Sequence, residues 1–156
     1  MKAVADFQAL AIATAHAAGE LLLHGASRQV NSETSDDVKM QADVDSETLV
    51  REKLKASGLP IIGEELGGDA SLFDRSELYW VVDPLDGTYN YLRHQPATCV
   101  SIGLMRGPEP VLGVIYNFNL KKTYSGIPGQ GLYINGQRVS PAWAQKIGDA
   151  CLMTGF

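Results

Sequence analysis

Basic charge, cysteine and long apolar runs are all scarce in this chain, and each shortage narrows what it can be. Its 13 Lys and Arg residues are outnumbered by 18 Asp and Glu, leaving a formal net charge of −5. A general nucleic-acid binder carries the opposite balance, so no nucleic-acid partner is expected. An anionic substrate stays open, because bound divalent cations reverse the local field. The two cysteines, Cys99 and Cys151, both lie within apolar runs. They read as buried free thiols of a reducing compartment, not as a disulfide framework. No apolar run approaches the roughly 20 residues of a membrane span. The start, Met1 to Phe7, lacks a signal-peptide layout, and polar residues with His16 interrupt the Ala-rich stretch after it. A cytoplasmic protein with no membrane partner is the expectation.

What is present fits one soluble domain. The 156 residues are 45% hydrophobic and 20% charged, a globular balance. Phe7, Leu10, Ala11, Thr14, Ala18, Leu21 and Leu22 recur at helical spacing between about Ala3 and Gly25. Gln29 to Gln41 is polar and reads as a loop. A second helix is predicted over about Val44 to Ser57, with Gly58 after its end. Leu59 to Gly63 reads as a short strand, and Gly67 to Ser76 as a polar loop. Further strands are predicted over Thr98–Met105, Pro110–Asn117, Lys121–Ser125 and Gly131–Ile134, with Gly, Pro and Asn turns between them. Such short spacings favour antiparallel hairpins. Ser140 to Gly148 reads as helical or irregular, and Ala150 to Phe156 as another apolar strand. The fold class expected is α+β, with helices packed on a largely antiparallel sheet.

The most informative stretch is Asp83-Pro84-Leu85-Asp86-Gly87-Thr88, which comes directly after the β-prone run Leu78-Tyr79-Trp80-Val81-Val82. Asp83 is expected where that strand ends, with Pro84 breaking the ladder. A turn of this kind aims Asp83 and Asp86 at one point, with the Leu85 carbonyl between them. Hard oxygens so arranged suit Mg²⁺. Gly87 lets a ligand approach the backbone, and Thr88 to Leu92 opens a short helix whose free N–H groups would face a phosphate. Glu64-Glu65 sit at the end of their own strand, and adjacent strand ends would bring both clusters to one rim of a sheet. Asp43, at the start of the second helix, reads locally as its cap.

Asp43, Glu64-Glu65 and Asp83 to Thr88 occur in the order and spacing of the inositol monophosphatase family, which the chain resembles. That family consists of Mg²⁺-dependent, lithium-sensitive phosphatases, in a superfamily with fructose-1,6-bisphosphatase and the nucleotide bisphosphatases. Tyr89-Asn90-Tyr91, Cys99 to Leu104, Gly113 to Tyr116 and Gly129 to Gln137 extend the likeness over nearly the whole chain. The resemblance implies the first domain of the αβαβα sandwich of fructose-1,6-bisphosphatase-like enzymes, and hydrolysis of a phosphate monoester. Glu64, Asp83 and the Leu85 carbonyl would hold one metal ion, and Asp83 with Asp86 a second. Glu64 or Glu65, through water, would help place a third. The implied ions are two or three Mg²⁺, with Mn²⁺ as a substitute and Li⁺ as an inhibitor. Thr88, paired with Asp43, would orient and deprotonate the attacking water, with Glu64 also catalytic; the Gly87 and Thr88 N–H groups would bind phosphate.

The family's later Trp-Asp and Gly-Gly have no match: Trp80 precedes Val81 and Trp143 precedes Ala144. Residues 1–149 would then form the N-terminal metal and phosphate domain, and 150–156 the first strand of a second domain that is absent. The aspartate of that Trp-Asp completes the second metal site in the family, so impaired activity is expected of this chain alone. The alternative function is a non-catalytic remnant that binds metal or phosphate, or an interaction module. Apolar surface left open would favour a homodimer or looser association. The partner expected otherwise is a small phosphorylated substrate, whether an inositol, sugar or nucleotide phosphate. Outside these motifs, His16 and His24 read as surface or boundary residues. Lys39 reads equally as a solvated side chain or one facing the site.

Overall fold

A computed structural model describes residues 3–33, 38–140 and 146. Helix α1 (Val4–His24) is Ala-rich on its inner side, where Ala11, Ala15, Ala18 and Leu22 are buried. Small side chains let the helix lie close to the sheet beneath it. At Gly19 the fit is closest, since a Cβ there would fall 2.6 Å from the Tyr116 ring. The second long helix, α2 (Gln41–Leu54), buries Ala42, Val50 and Leu54 on the same core, and ends in a short 3₁₀ turn, Lys55–Ser57.

Seven strands make one sheet in chain order: β3 (Ile61–Gly63), β4 (Leu78–Asp86), β5 (Cys99–Arg106), β6 (Glu109–Asn117), β7 (Lys122–Ile127), β8 (Gly131–Ile134) and β9 (Gln137–Val139). Among these strands only β3 and β4 run parallel; every later pairing is antiparallel, as the short turns imply. A separate hairpin joins β1 (Val30–Glu33) to β2 (Val38–Met40). Both long helices pack against one face, chiefly α1 on β5 and β6 and α2 on β4. Burial therefore alternates along β5: Val100, Ile102 and Leu104 point into the helices, while Ser101 and Gly103 point the other way. The core centres on Trp80, which is fully buried, meets Phe7 edge-on at 6.0 Å between centroids and donates its indole N–H to the Ser57 hydroxyl. Burial of an aromatic of this size dominates the local energetics, at about 1.5–3 kcal/mol or more.

The α+β expectation holds, and five local expectations are corrected. The stretch 29–41 is not all loop: it contains β1 and β2, which satisfy each other's backbone groups. Helix α2 starts at Gln41 rather than Val44, which puts Asp43 in its first turn. Strand β4 does not stop at Asp83. It continues to Asp86 through a bulge: Asp83 faces Ser101 and Asp86 faces Cys99, three residues on β4 against two on β5. Pro84 lies inside that bulge, where a missing N–H breaks no ladder bond. A 3₁₀ turn, Ala70–Asp74, interrupts the loop after Gly67, and β9 adds a strand that short length had hidden. The expected strand 150–156 lies outside the described residues, as does most of 140–148.

Candidate active site

Parallel pairing places Gly63 beside Val82, so the next residues, Glu64 just past the end of β3 and Asp83 at the start of the β4 bulge, come together at one rim. Their carboxylates interact. Burial first, then the Glu64 and Asp86 charges, push the Asp83 carboxyl up from its ordinary 3.8 to about 7. The Asp83 Oδ1 accepts the Leu85 N–H at 3.2 Å, a local turn that fixes the side chain over the bulge. Bulges of this kind re-aim side chains near functional sites. Here the bulge turns the Leu85 carbonyl to accept the Thr88 hydroxyl at 3.1 Å.

Gly87 comes next with φ 86° and ψ 41°, a left-handed conformation, and α3 (Thr88–Leu92) begins after it. A side chain at this position would be doubly opposed, because its Cβ would lie 2.7 Å from the Ala97 carbonyl. The αL turn brings Thr88 to face α2. Its hydroxyl lies 3.0 Å from Asp43 Oδ1, while Asp43 Oδ2 accepts the Met40 N–H at 2.8 Å. The cap reading of Asp43 is thus half right: the carboxylate reaches back from the third helical position, and its other oxygen is turned to Thr88. Asp43 is 3% exposed, and burial outweighs its hydrogen bonds enough to raise its carboxyl to about 6. Ser46, one turn on, donates to the Pro84 carbonyl at 2.9 Å and so ties α2 to the bulge.

Every residue singled out from the sequence is therefore at this rim: Asp43, Glu64, Glu65, Asp83, Leu85, Asp86, Gly87 and Thr88. Glu65 and Glu64 part company there. The Glu65 carboxylate is 10% exposed and paired with Lys39 Nζ at 3.2 Å, so Lys39 faces the site. Among the described residues no three Asp, Glu, His or Cys side chains close into a ready metal-binding group. The donor chemistry nonetheless fits a hard cation, since Asp83 is crowded by two carboxylates, Glu64 and Asp86, with the Leu85 carbonyl between Asp83 and Asp86 in the chain.

Three contributors were not legible as site residues. Glu47 is fully buried beneath the Glu64-Glu65 turn. Arg51 pairs with it at 2.7 Å. The Cys99 thiol lies 3.3 Å from Asp86 Oδ2, and burial together with that carboxylate pushes its pKa to about 12. No spacing rule reports such contacts, although Glu47 at four residues after Asp43 is one helical turn along and on the same face. The histidines stay outside the site: His16 Nε2 contacts the Thr123 hydroxyl and His24 lies beside Glu20 on the surface.

A family model, the inositol monophosphatase family, matches residues 3–156. The chain belongs to the inositol monophosphatase family. Inositol monophosphatase 2 of Solanum lycopersicum is 34% identical over 157 aligned positions, spanning 96% of this chain and 58% of that protein. A protein of Aquifex aeolicus named fructose-1,6-bisphosphatase/inositol-1-monophosphatase is 40% identical over 96 positions, 62% of this chain and 35% of its own length. Among solved structures, the inositol monophosphatase of Anabaena superposes with a TM-score of 0.75 at 31% identity, covering 90% of this chain and 51% of that one. The extragenic suppressor protein suhB of Bartonella henselae gives 0.78 at 28%, covering 94% and 56%. The fold is that of these structures, and the chain spans about half the length of the relatives it matches.

Proposed function

We propose that this chain is a Mg²⁺-dependent phosphomonoesterase domain acting on a small phosphorylated substrate such as an inositol monophosphate or a related sugar or nucleotide phosphate. The observation that carries this reading is the Thr88 hydroxyl set 3.0 Å from Asp43 and 3.1 Å from the Leu85 carbonyl, at the rim where Glu64, Asp83 and Asp86 meet. Glu64, Asp83, Asp86 and the Leu85 carbonyl would hold the metal, two or three ions in all. When bound, Mg²⁺ would stabilise charge on the phosphoryl oxygens and lower the pKa of water. Mn²⁺ would substitute, and Li⁺ would inhibit.

The protein's own part is proton handling and placement. Asp43, with a carboxyl near 6, accepts a proton readily at neutral pH and can do so through the Thr88 hydroxyl between it and solvent. The Gly87 and Thr88 N–H groups would bind phosphate. Glu65, held by Lys39, serves best as a neutralised neighbour of Glu64. Residues 1–149 would constitute the N-terminal α+β domain of the family. Association of two chains would use the sheet face opposite the helices, where Ile115 and Leu132 are exposed. Among the described residues no helix is long and apolar enough to cross a membrane, in keeping with a cytoplasmic phosphatase.

A second reading, metal or phosphate binding without turnover, draws on the same carboxylate rim, where Glu64 and Asp86 crowd Asp83 whether or not hydrolysis follows. Phosphate release from inositol and sugar phosphates separates the two. Release that requires Mg²⁺, is blocked by Li⁺ and is lost in Asp83→Asn supports the phosphatase. Calorimetric Mg²⁺ binding with no release at millimolar Mg²⁺ supports the second.

A further inference from the structure

A buried charge is an expensive way to fill a core, and Glu47 is one: its side chain is completely enclosed. Its two oxygens are fully employed. Oε1 takes the Arg51 Nε–H at 2.7 Å, Oε2 takes the Glu65 N–H at 2.8 Å, and the Leu66 N–H lies 3.2 and 3.3 Å from the pair. Arg51 in turn donates to the Ile61 carbonyl at 3.4 Å and to the Gly67 carbonyl. The chain from Ile61 to Gly67 is thereby gripped from within at its start, middle and end, and Gly63 N–H closes the turn on the Gly67 carbonyl at 3.0 Å. Gly63 is glycine for a reason visible here: a Cβ would sit 2.0 Å from Glu47 Oε1.

With β3 set by its pairing to β4, and the Glu65 and Leu66 amides set by Glu47, the residue between them has little freedom. Lys39 draws the Glu65 side chain aside, which leaves Glu64 as the carboxylate facing Asp83. We infer that Glu47, paired to Arg51, is a positioning residue that holds the Glu64-Glu65 turn and so presents Glu64 to the metal site. This rests on the metal reading above. Groups that orient metal ligands in this way commonly change metal affinity by about 10–100-fold when altered.

Glu47→Gln keeps the size but replaces one acceptor oxygen with a donor, so it cannot serve Arg51 and two N–H groups together. Gly63→Ala disturbs the same carboxylate from the other side without changing any charge. Both variants would be compared with the unaltered chain by Mg²⁺ calorimetry and by amide hydrogen exchange. The expected result is a 10–100-fold weaker Mg²⁺ affinity, with faster exchange at Glu65 and Leu66 and unchanged exchange in β5 and β6. In addition, Glu47→Gln and Glu64→Gln should be non-additive in Mg²⁺ affinity, since one acts through the other. Additive losses would reduce Glu47 to a stability residue and overturn the inference. So would unaltered affinity in Glu47→Gln. If the unaltered chain binds no Mg²⁺ while the turn amides still lose protection, the metal reading itself has failed and this inference falls with it.

Discussion

The Thr88 hydroxyl meets the Asp43 carboxylate across 3.0 Å, joining α3 to the first turn of α2 from 45 residues away. That bond links the turn at Gly87 to a buried carboxylate whose second oxygen is already satisfied, by Met40 N–H. Through the Thr88 hydroxyl Asp43 reaches toward the rim where Glu64 and Asp83 lie.

Thr88→Val keeps the shape and removes the hydroxyl. Phosphate release should fall by about 10²–10⁴-fold, the range general-base assistance supplies. The stability change should stay near 1 kcal/mol, the usual worth of one hydrogen bond. Initial rates and urea midpoints measure the two separately.

Asp43 and Asp83 give stability an unusual pH slope. Their folded-state values, about 6 and about 7, lie above the ordinary 3.8. The folded chain therefore keeps protons that the unfolded chain releases. Their contribution is fully present below pH 3.8 and is lost as pH rises to about 7. Without metal, the urea midpoint should fall between pH 4.5 and 7.5, and Asp83→Asn should flatten that fall. Added Mg²⁺ should restore the midpoint at pH 7.5 and do little at pH 4.5.

Gly87→Ala forces a side chain into φ 86° with its Cβ 2.7 Å from the Ala97 carbonyl. A loss of roughly 1–3 kcal/mol is expected from strain of this kind, read from denaturant curves. Phosphate release should fall with it, because the same turn orients Thr88.

Ser46→Ala deletes the donor to the Pro84 carbonyl inside the core. An orphaned buried carbonyl costs about 1–3 kcal/mol. Thermal unfolding should register it, and Mg²⁺ affinity should weaken as the bulge loosens.

Cys99 should resist alkylation. With its thiol pushed to about 12 by burial and by Asp86, almost no thiolate exists at pH 8. Peptide mapping after iodoacetamide treatment should find it unlabelled under conditions that label a free thiol, and Asp86→Asn should raise its labelling.

Much of this site was legible because it is local. Asp83 to Thr88 specify their own turn through Pro84 and Gly87, and the strand before them is apolar enough to be recognised. The hairpins after Cys99 announce themselves through Gly and Asn at their turns. Less legible were the elements whose cause is distant. The hairpin β1–β2 is polar and short, and its strands exist because each satisfies the other's backbone. Pro84 looked like a strand end, yet the partner strand β5 carries the ladder past it through a bulge.

By itself, the sequence determined the order of the carboxylates, the short helix opening at Thr88 and the α+β character, since propensity and spacing act over a few residues. Tertiary structure alone decided which carboxylates differ. Glu64 faces Asp83 while Glu65 is drawn to Lys39; Asp43 turns one oxygen to Thr88; and Glu47, ordinary in sequence, becomes a buried clamp. Those differences come from burial and from opposing charges brought together across the fold, and neither quantity exists until the chain has packed.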